Sequence, residues 1–172
     1  FSDVHSNLEA LTAVLQAFKD NGVEGHICCG DMVGYGPQPD ACLDLIRNLK
    51  NPFFICGNHD LAIIGRMELE WFNPYARAAI LWTRGVLSGE SRKFLEVLTA
   101  RLESPEFSLA HGTPRRPVEE YLLSAAQFRE NMSRVRAWPL FVGHSHMPIC
   151  FRQSLEGRVE TIFLEDRQEV EA

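Results

Sequence analysis

The stretch Cys28–Gly36 constrains the fold most, because it contains a buried strand that ends at a carboxylate. The apolar run Ile27–Cys29 predicts the strand, which stops at Asp31 and is followed by a Gly-Tyr-Gly turn. A carboxylate at the carboxyl end of a buried strand lies where open α/β sheets bind ligands. Taken alone, Asp31 is more simply explained as a residue that caps or turns the chain, so other segments of the chain decide between the two interpretations.

Four other apolar runs in the chain also stop at side chains that commonly bind metals. These side chains are Asp3 with His5, Asn58 with His59, His111, and His144 with His146. His and Asp together suit a transition metal such as Mn, Fe or Zn, whereas Mg or Ca prefers oxygen ligands alone. We therefore predict a two-metal site in which Asp31 bridges both ions. Two divalent ions outweigh the charge of two carboxylates, so the centre would suit a phosphate substrate.

The order of predicted elements indicates an α/β fold with a parallel sheet. Asp3 to Asp31 forms one βαβ unit, which brings both carboxylates to the same edge of the sheet. A capping box starting at Ser6 predicts the first helix. Residues 61–102 are predicted to be mainly helical, with Trp71 and Trp82 in the core, and the chain ends in an antiparallel hairpin.

Composition limits the class of protein. The 172 residues predict one domain, 1–172, and the formal net charge of -6 argues against nucleic acid as a partner. No apolar run is long enough for a membrane span, so we expect no membrane partner. The five cysteines include no CxxC pair and predict buried thiols in the reducing cytoplasm. The first residues lack a full strand before Asp3 and the chain stops in a charged stretch, so we expect truncation at both ends; the oligomeric state is left open.

Five motifs, in order, resemble the calcineurin-like metallophosphoesterase superfamily. They are Asp3-Val4-His5, Gly30-Asp31, Gly57-Asn58-His59-Asp60, His111-Gly112 and Gly143-His144-Ser145-His146. The surroundings of three motifs look like the small prokaryotic phosphodiesterase-type branch, over residues 2 to about 151. The resemblance implies an αββα four-layer sandwich, with two mixed sheets flanked by helices.

The resemblance also implies a role for each matching residue. The first metal would be held by Asp3, His5, Asp31 and His146, and the second by Asp31, Asn58, His111 and His144. His59 would be catalytic, stabilising or protonating the leaving oxygen. Members commonly use Mn, and Fe, Zn or Ni are also found. The implied reaction is hydrolysis of a small phosphodiester by attack of a metal-bound hydroxide.

The chain departs from the superfamily's patterns at two places. Gly34-Tyr35 stands where the protein-phosphatase branch has an Asp-Arg pair, which argues against a protein phosphatase and leaves the acid role of His59 open. The C-terminal strands that usually follow the hairpin are missing, so we expect an incomplete second sheet.

Other functions and other residue roles stay open. A non-catalytic interaction module on the same fold, a phosphomonoesterase and a nuclease are the alternatives. Arg115 and Tyr35 are candidate substrate contacts, although a solvated loop or simple packing would explain them equally well.

Overall fold

The computed structural model describes residues 1–164, which form helices and short strands. The helices are α1 (Leu8–Asp20), α2 (Pro39–Arg47), α3 (Asn58–Ile63), α4 (Pro74–Val86), α5 (Gly89–Glu96) and α6 (Ala125–Met132), with a 3-10 turn at Leu69–Trp71. The strands are β1 (His26–Cys28), β2 (Pro52–Phe54), β3 (Arg101–Glu103), β4 (Ser108–Ala110), β5 (Leu140–Val142), β6 (Ile149–Gln153) and β7 (Val159–Phe163). None of these helices is long and apolar enough to cross a membrane.

The first sheet places the two aspartates at one edge, as the βαβ prediction requires. β1 and β2 are parallel, and the extended start of the chain runs beside β1. There Phe1 N donates to Ile27 O at 3.0 Å, and Cys29 N donates to Phe1 O at 3.0 Å. The ladder ends with Asp3 N donating to Gly30 O at 3.0 Å, so Asp3 and Asp31 leave the sheet side by side.

The second sheet, of three strands, packs against the first as the predicted sandwich requires. β3 pairs with β4 antiparallel, and β4 pairs with β5 in parallel. Cys29, Ile55 and Leu109 are buried together between the two sheets. On the far side, α6 packs on the β6–β7 hairpin, where the rings of Phe128 and Phe151 stack at 5.7 Å. The predicted αββα class is therefore confirmed.

The larger core lies between the first sheet and helices α1 to α5, but it excludes two tryptophans that we predicted inside it. Trp71 is 67% exposed and Trp82 is 46% exposed. Helix α4 turns Ala76, Ile80 and Thr83 inward instead. Because the polar Thr83 is buried while the neighbouring Trp82 is exposed, hydrophobicity along α4 does not identify its buried face, and Trp71 lies before this helix in the 3-10 turn.

The start of α1 also differs from the predicted capping box. Asn7 is the N-cap, and its side chain accepts a hydrogen bond from Ala10 N at 3.0 Å. Ser6 is fully buried. Its backbone N donates to Met32 O at 3.0 Å, and this bond ties Ser6 to the loop after β1. A second difference is β3, which pairs with β4 where we predicted helix up to residue 102.

Candidate metal centre

The structure brings all seven predicted metal ligands to one edge of the sandwich. They lie in the segments that follow the strands: Asp3 and His5 after the first extended segment, Asp31 after β1, Asn58 at the start of α3, His111 after β4, and His144 and His146 after β5. Three groups of these side chains, one of which includes His59, have ligand atoms within 4.8 Å of one another.

Asp31 lies between two groups of ligands. Its Oδ2 atom is 3.3 Å from His111 Nε2 and 3.8 Å from His5 Nε2. Its Oδ1 atom accepts a hydrogen bond from the backbone N of His59 at 2.9 Å. The residue is 2% exposed, so this carboxylate is held firmly and is shielded from water.

The first group consists of Asp3, His5 and His146. His5 Nε2 and His146 Nε2 are 3.2 Å apart, and His146 Nε2 is 3.3 Å from Asp3 Oδ1. Asp3 is oriented by the backbone N of His144, which donates to its carboxylate at 3.1 Å. This group is the more open side of the centre, since His146 is exposed.

The second group consists of Asn58, His111 and His144, and it is centred on a fully buried imidazole. His111 Nδ1 donates to Cys29 O at 2.7 Å, because a carbonyl can only accept. This bond directs Nε2 toward Asn58 Oδ1 at 3.0 Å and toward the Asp31 carboxylate. The His144 ring lies 4.9 Å from the His111 ring.

The donor set fits a divalent cation. With Nδ1 of His111 committed to a carbonyl, its Nε2 faces two oxygen acceptors, and only a proton or a cation between them makes that arrangement favourable. Ligands about 2.1 Å from a common ion are about 3.0–3.4 Å apart. The pairs at 3.0, 3.2 and 3.3 Å match that spacing.

The electrostatics of the site favour positive charge at its centre. Burial would raise the pKa of Asp31, but the contacts with His111 and the neighbouring histidines hold that pKa well below its usual range. Burial would lower the pKa of His111, but the Asp31 carboxylate raises it to about 9. By contrast, burial lowers the pKa of His59 to about 4, and burial together with His111 does the same for His144.

Asp60 is a structural carboxylate. It is fully buried and accepts hydrogen bonds from the backbone N of Gly57 at 3.0 Å, of Val33 at 3.1 Å and of Met32 at 3.3 Å. Burial, with a smaller contribution from Asp31, raises its pKa to about 7. These bonds fix the loop after β1 against the start of α3, and so fix Asp31 near Asn58 and His59.

The two candidate substrate contacts lie in different surroundings. Tyr35 is at the centre, with its ring 4.9 Å from that of His5 and 4.7 Å from that of His59. Arg115 forms ion pairs with Glu120 and Glu130. It lines neither of the cavities that open on the centre in the described part of the chain.

Two aromatic residues beside the centre were not found by sequence reasoning. The Tyr121 ring stacks on His144 at 4.1 Å with an interplanar angle of 5°. The Phe72 ring lies 5.0 Å from that of His59. Neither follows a strand or belongs to a motif, so no local signal identifies them.

Two cavities open on the centre. The larger has a volume of about 770 Å³ and is lined by the first group, Asp3, His5 and His146. The smaller has a volume of about 210 Å³ and is lined by Asn58, His59 and His144. Substrate can therefore approach both groups of ligands.

Fold and site together define an α/β sandwich with a histidine- and aspartate-lined candidate metal centre at one edge. The chain belongs to the calcineurin-like phosphoesterase superfamily, because the profile of the calcineurin-like phosphoesterase superfamily domain matches residues 1–164. Members of this superfamily are phosphoesterases that generally bind divalent metals. The number and identity of the ions, the cytoplasmic location and the single-domain organisation stay predictions.

Known proteins resemble the chain in sequence and in structure. An uncharacterized protein of Methanocaldococcus jannaschii is 40% identical over 165 residues, which is 92% of this chain and 65% of that protein. The crystal structure of a metallophosphoesterase from Sphaerobacter thermophilus matches with a TM-score of 0.76 and 41% identity, covering 89% of this chain and 61% of that one. The chain thus spans less than two thirds of the length of both relatives.

A more distant structure shows the same fold. A hypothetical protein from Pyrococcus horikoshii OT3 matches with a TM-score of 0.70 at 19% identity, covering 96% of this chain and 86% of that one. At this identity the likeness concerns the fold alone.

Proposed function

We propose that the chain is a metal-dependent phosphoesterase that binds two divalent ions and hydrolyses a phosphodiester. Asp3, His5, Asp31 and His146 would hold one ion, and Asp31, Asn58, His111 and His144 the other. The observation that carries the proposal is the position of Asp31, whose one oxygen, Oδ2, lies within 4 Å of a histidine in each group. A shared carboxylate of this kind is typical of two-metal sites.

The bound ions would supply Lewis acidity toward phosphoryl oxygens and would lower the pKa of their bound water. The protein's own residues bind and position the substrate. The His59 ring borders the smaller cavity, and its backbone N is held by Asp31. We assign to His59 donation of a hydrogen bond to the leaving oxygen, a role that a neutral imidazole can fill with its one N–H.

Mn is the ion we expect first, with Fe, Zn or Ni as alternatives, because imidazole and carboxylate ligands suit all of them. A phosphodiester is preferred to a phosphomonoester or a phosphoprotein because no arginine lines either cavity in the described residues to grip a dianionic phosphate.

The test combines metal analysis with hydrolysis of bis(p-nitrophenyl) phosphate and p-nitrophenyl phosphate in the presence of Mn. We expect about two metal ions per chain and faster hydrolysis of the diester. Asp31→Asn and His144→Ala should each lower kcat/KM by at least about 100-fold. His26→Ala is the matched control, since His26 lies outside both groups and contacts Lys50 O. Full activity of Asp31→Asn at saturating metal would refute the mechanism.

A further inference from the structure

Each of the two cavities borders a different group of candidate metal ligands, and one side chain lines both cavities. The larger opens on the first group and the smaller on Asn58, His144 and His59, while Tyr35 lines both. A phosphodiester carries two organic groups on one phosphorus atom, and each group needs a space of its own. Two spaces on either side of Tyr35 match that requirement, whereas a monoester would need only one.

The walls of the smaller cavity combine aromatic rings with polar side chains, which suits a flat group with polar edges. We call it the aromatic recess; its apolar walls are Tyr35, Met67, Trp71, Phe72, Val118 and Tyr121. No lysine or arginine lines it among the described residues, and Glu119 is the carboxylate there. A neutral planar group can therefore pack against these rings and hydrogen-bond to polar side chains such as Asn73.

The rings of the recess are already ordered by the metal centre. Tyr121 stacks on His144, and Phe72 and Tyr35 both contact the His59 ring. Rings held in this way lose little conformational freedom when a ligand binds. Trp71 forms the outer wall and is 67% exposed, a large apolar surface with no covering group among residues 1–164.

We propose that the recess binds a planar aromatic group, an aryl ring or a nucleobase, on the leaving alcohol of the substrate. This proposal rests on the proposed function and adds the substrate class. His59 lies where the recess meets the metal centre, so a leaving alcohol whose ring fills the recess has its oxygen beside His59. The second organic group of the diester then lies in the larger cavity. A volume of about 210 Å³ admits a ring system but not a whole dinucleotide.

The test measures binding and turnover separately in the purified protein. Adenosine is the aromatic probe and methyl riboside is the probe without a ring, each titrated by isothermal calorimetry. Stacking of one base on aromatic side chains contributes about 1–3 kcal/mol, or about 5–150-fold in affinity. We expect Trp71→Ala and Tyr121→Ala each to weaken adenosine binding about 10-fold, and methyl riboside not to bind. Tyr121→Phe keeps the ring and should bind adenosine as the unmodified protein does.

Trp82→Ala is the matched control, because Trp82 is a half-exposed tryptophan that does not line the recess. With bis(p-nitrophenyl) phosphate, Trp71→Ala should raise KM more than it lowers kcat. The proposal that the recess binds an aromatic group would be refuted if adenosine does not bind. It would also be refuted if Trp82→Ala weakens adenosine binding as much as Trp71→Ala does. If the diester is hydrolysed but Trp71→Ala changes neither the affinity for adenosine nor KM, the assignment of the recess to an aromatic group is wrong and the proposed function stands. Adenosine binding that depends on Trp71 without any hydrolysis would support the recess and refute the proposed function.

Discussion

Gly57→Ala should disable the metal centre by moving Asp31, although Gly57 itself offers no ligand atom. A Cβ atom on Gly57 would lie 2.6 Å from Asp31 Cγ, whereas ordinary contact begins at 3.4 Å. Asp31 Oδ1 would lie closer still to the added Cβ and Asp31 N at the same 2.6 Å, so the carboxylate and the loop that carries it must shift by more than about 0.8 Å. A misplacement of about 1 Å in a catalytic site can lower the rate about 100-fold. We expect a loss of that size in kcat/KM, together with weaker metal binding.

The same crowding should lower the stability of the fold. Overpacking of a buried site costs about 1–3 kcal/mol, which for a chain of this size lowers Tm by about 2–12 °C. The assays are Mn-dependent hydrolysis of bis(p-nitrophenyl) phosphate, metal content after dialysis, and Tm by circular dichroism. Gly85→Ala is the matched control, because nothing lies within 4 Å of its added Cβ and it sits inside α4.

The control should keep full metal content and gain about 0.4–1 kcal/mol in the free energy of unfolding. If Gly57→Ala retains the metal affinity and kcat/KM of the unmodified protein, the inferred close contact between Gly57 and Asp31 has no functional consequence. The reasoning that places Asp31 at the centre of the site would then be refuted.

Two further predictions concern the carboxylates that support the site. Asp60→Asn replaces one acceptor oxygen with an NH2 group facing a backbone N–H, so urea denaturation should show a free energy of unfolding lower by about 1.5–3 kcal/mol; an unchanged midpoint would contradict this. Arg115, then Thr113, hold the pKa of Glu120 at about 2, below its ordinary value of 4.5. Because the folded-state pKa is lowered, this stability is fully present above pH 4.5 and is lost as the pH falls toward 2. The stability difference between the unmodified protein and Glu120→Gln should shrink over that range, and a difference that grows in acid would count against it.

The positions of the candidate ligands could be predicted from the sequence because they follow strands. A strand, a helix and a second strand fix the relative placement of Asp3 and Asp31, since the βαβ unit closes in one hand. The same rule extends to Asn58 after β2 in the first sheet, and in the second sheet to His111 after β4 and His144 after the parallel β5. Their proximity in the structure agrees with that expectation, while their roles as ligands stay proposals.

Side chains that reach the site from loops and helix faces could not be predicted. Tyr121 lies ten residues after His111, and its stacking on His144 depends on a loop held by hydrogen bonds such as Gly112 N to Pro117 O. Trp82 was predicted in the core for a related reason, since on α4 the polar Thr83 is buried while Trp82 is exposed, and only tertiary packing determines this. Trp71 lies in the 3-10 turn before α4, which is too short for a helical period to assign a buried face.

The backbone at the candidate ligands shows why local sequence preference alone would not build this site. Five of the seven have positive φ: Asp3 (54°), His5 (48°), Asp31 (50°), His144 (67°) and His146 (53°). Each such residue costs about 1–3 kcal/mol, and the conformation persists only where surrounding contacts enforce it. The enforcing contacts are visible, since Asp3 N donates to Gly30 O and His5 N donates to Asp31 O at 2.9 Å. The sandwich therefore holds the backbone of the residues proposed to bind metal in strained conformations. An ordinary surface loop would not maintain such conformations.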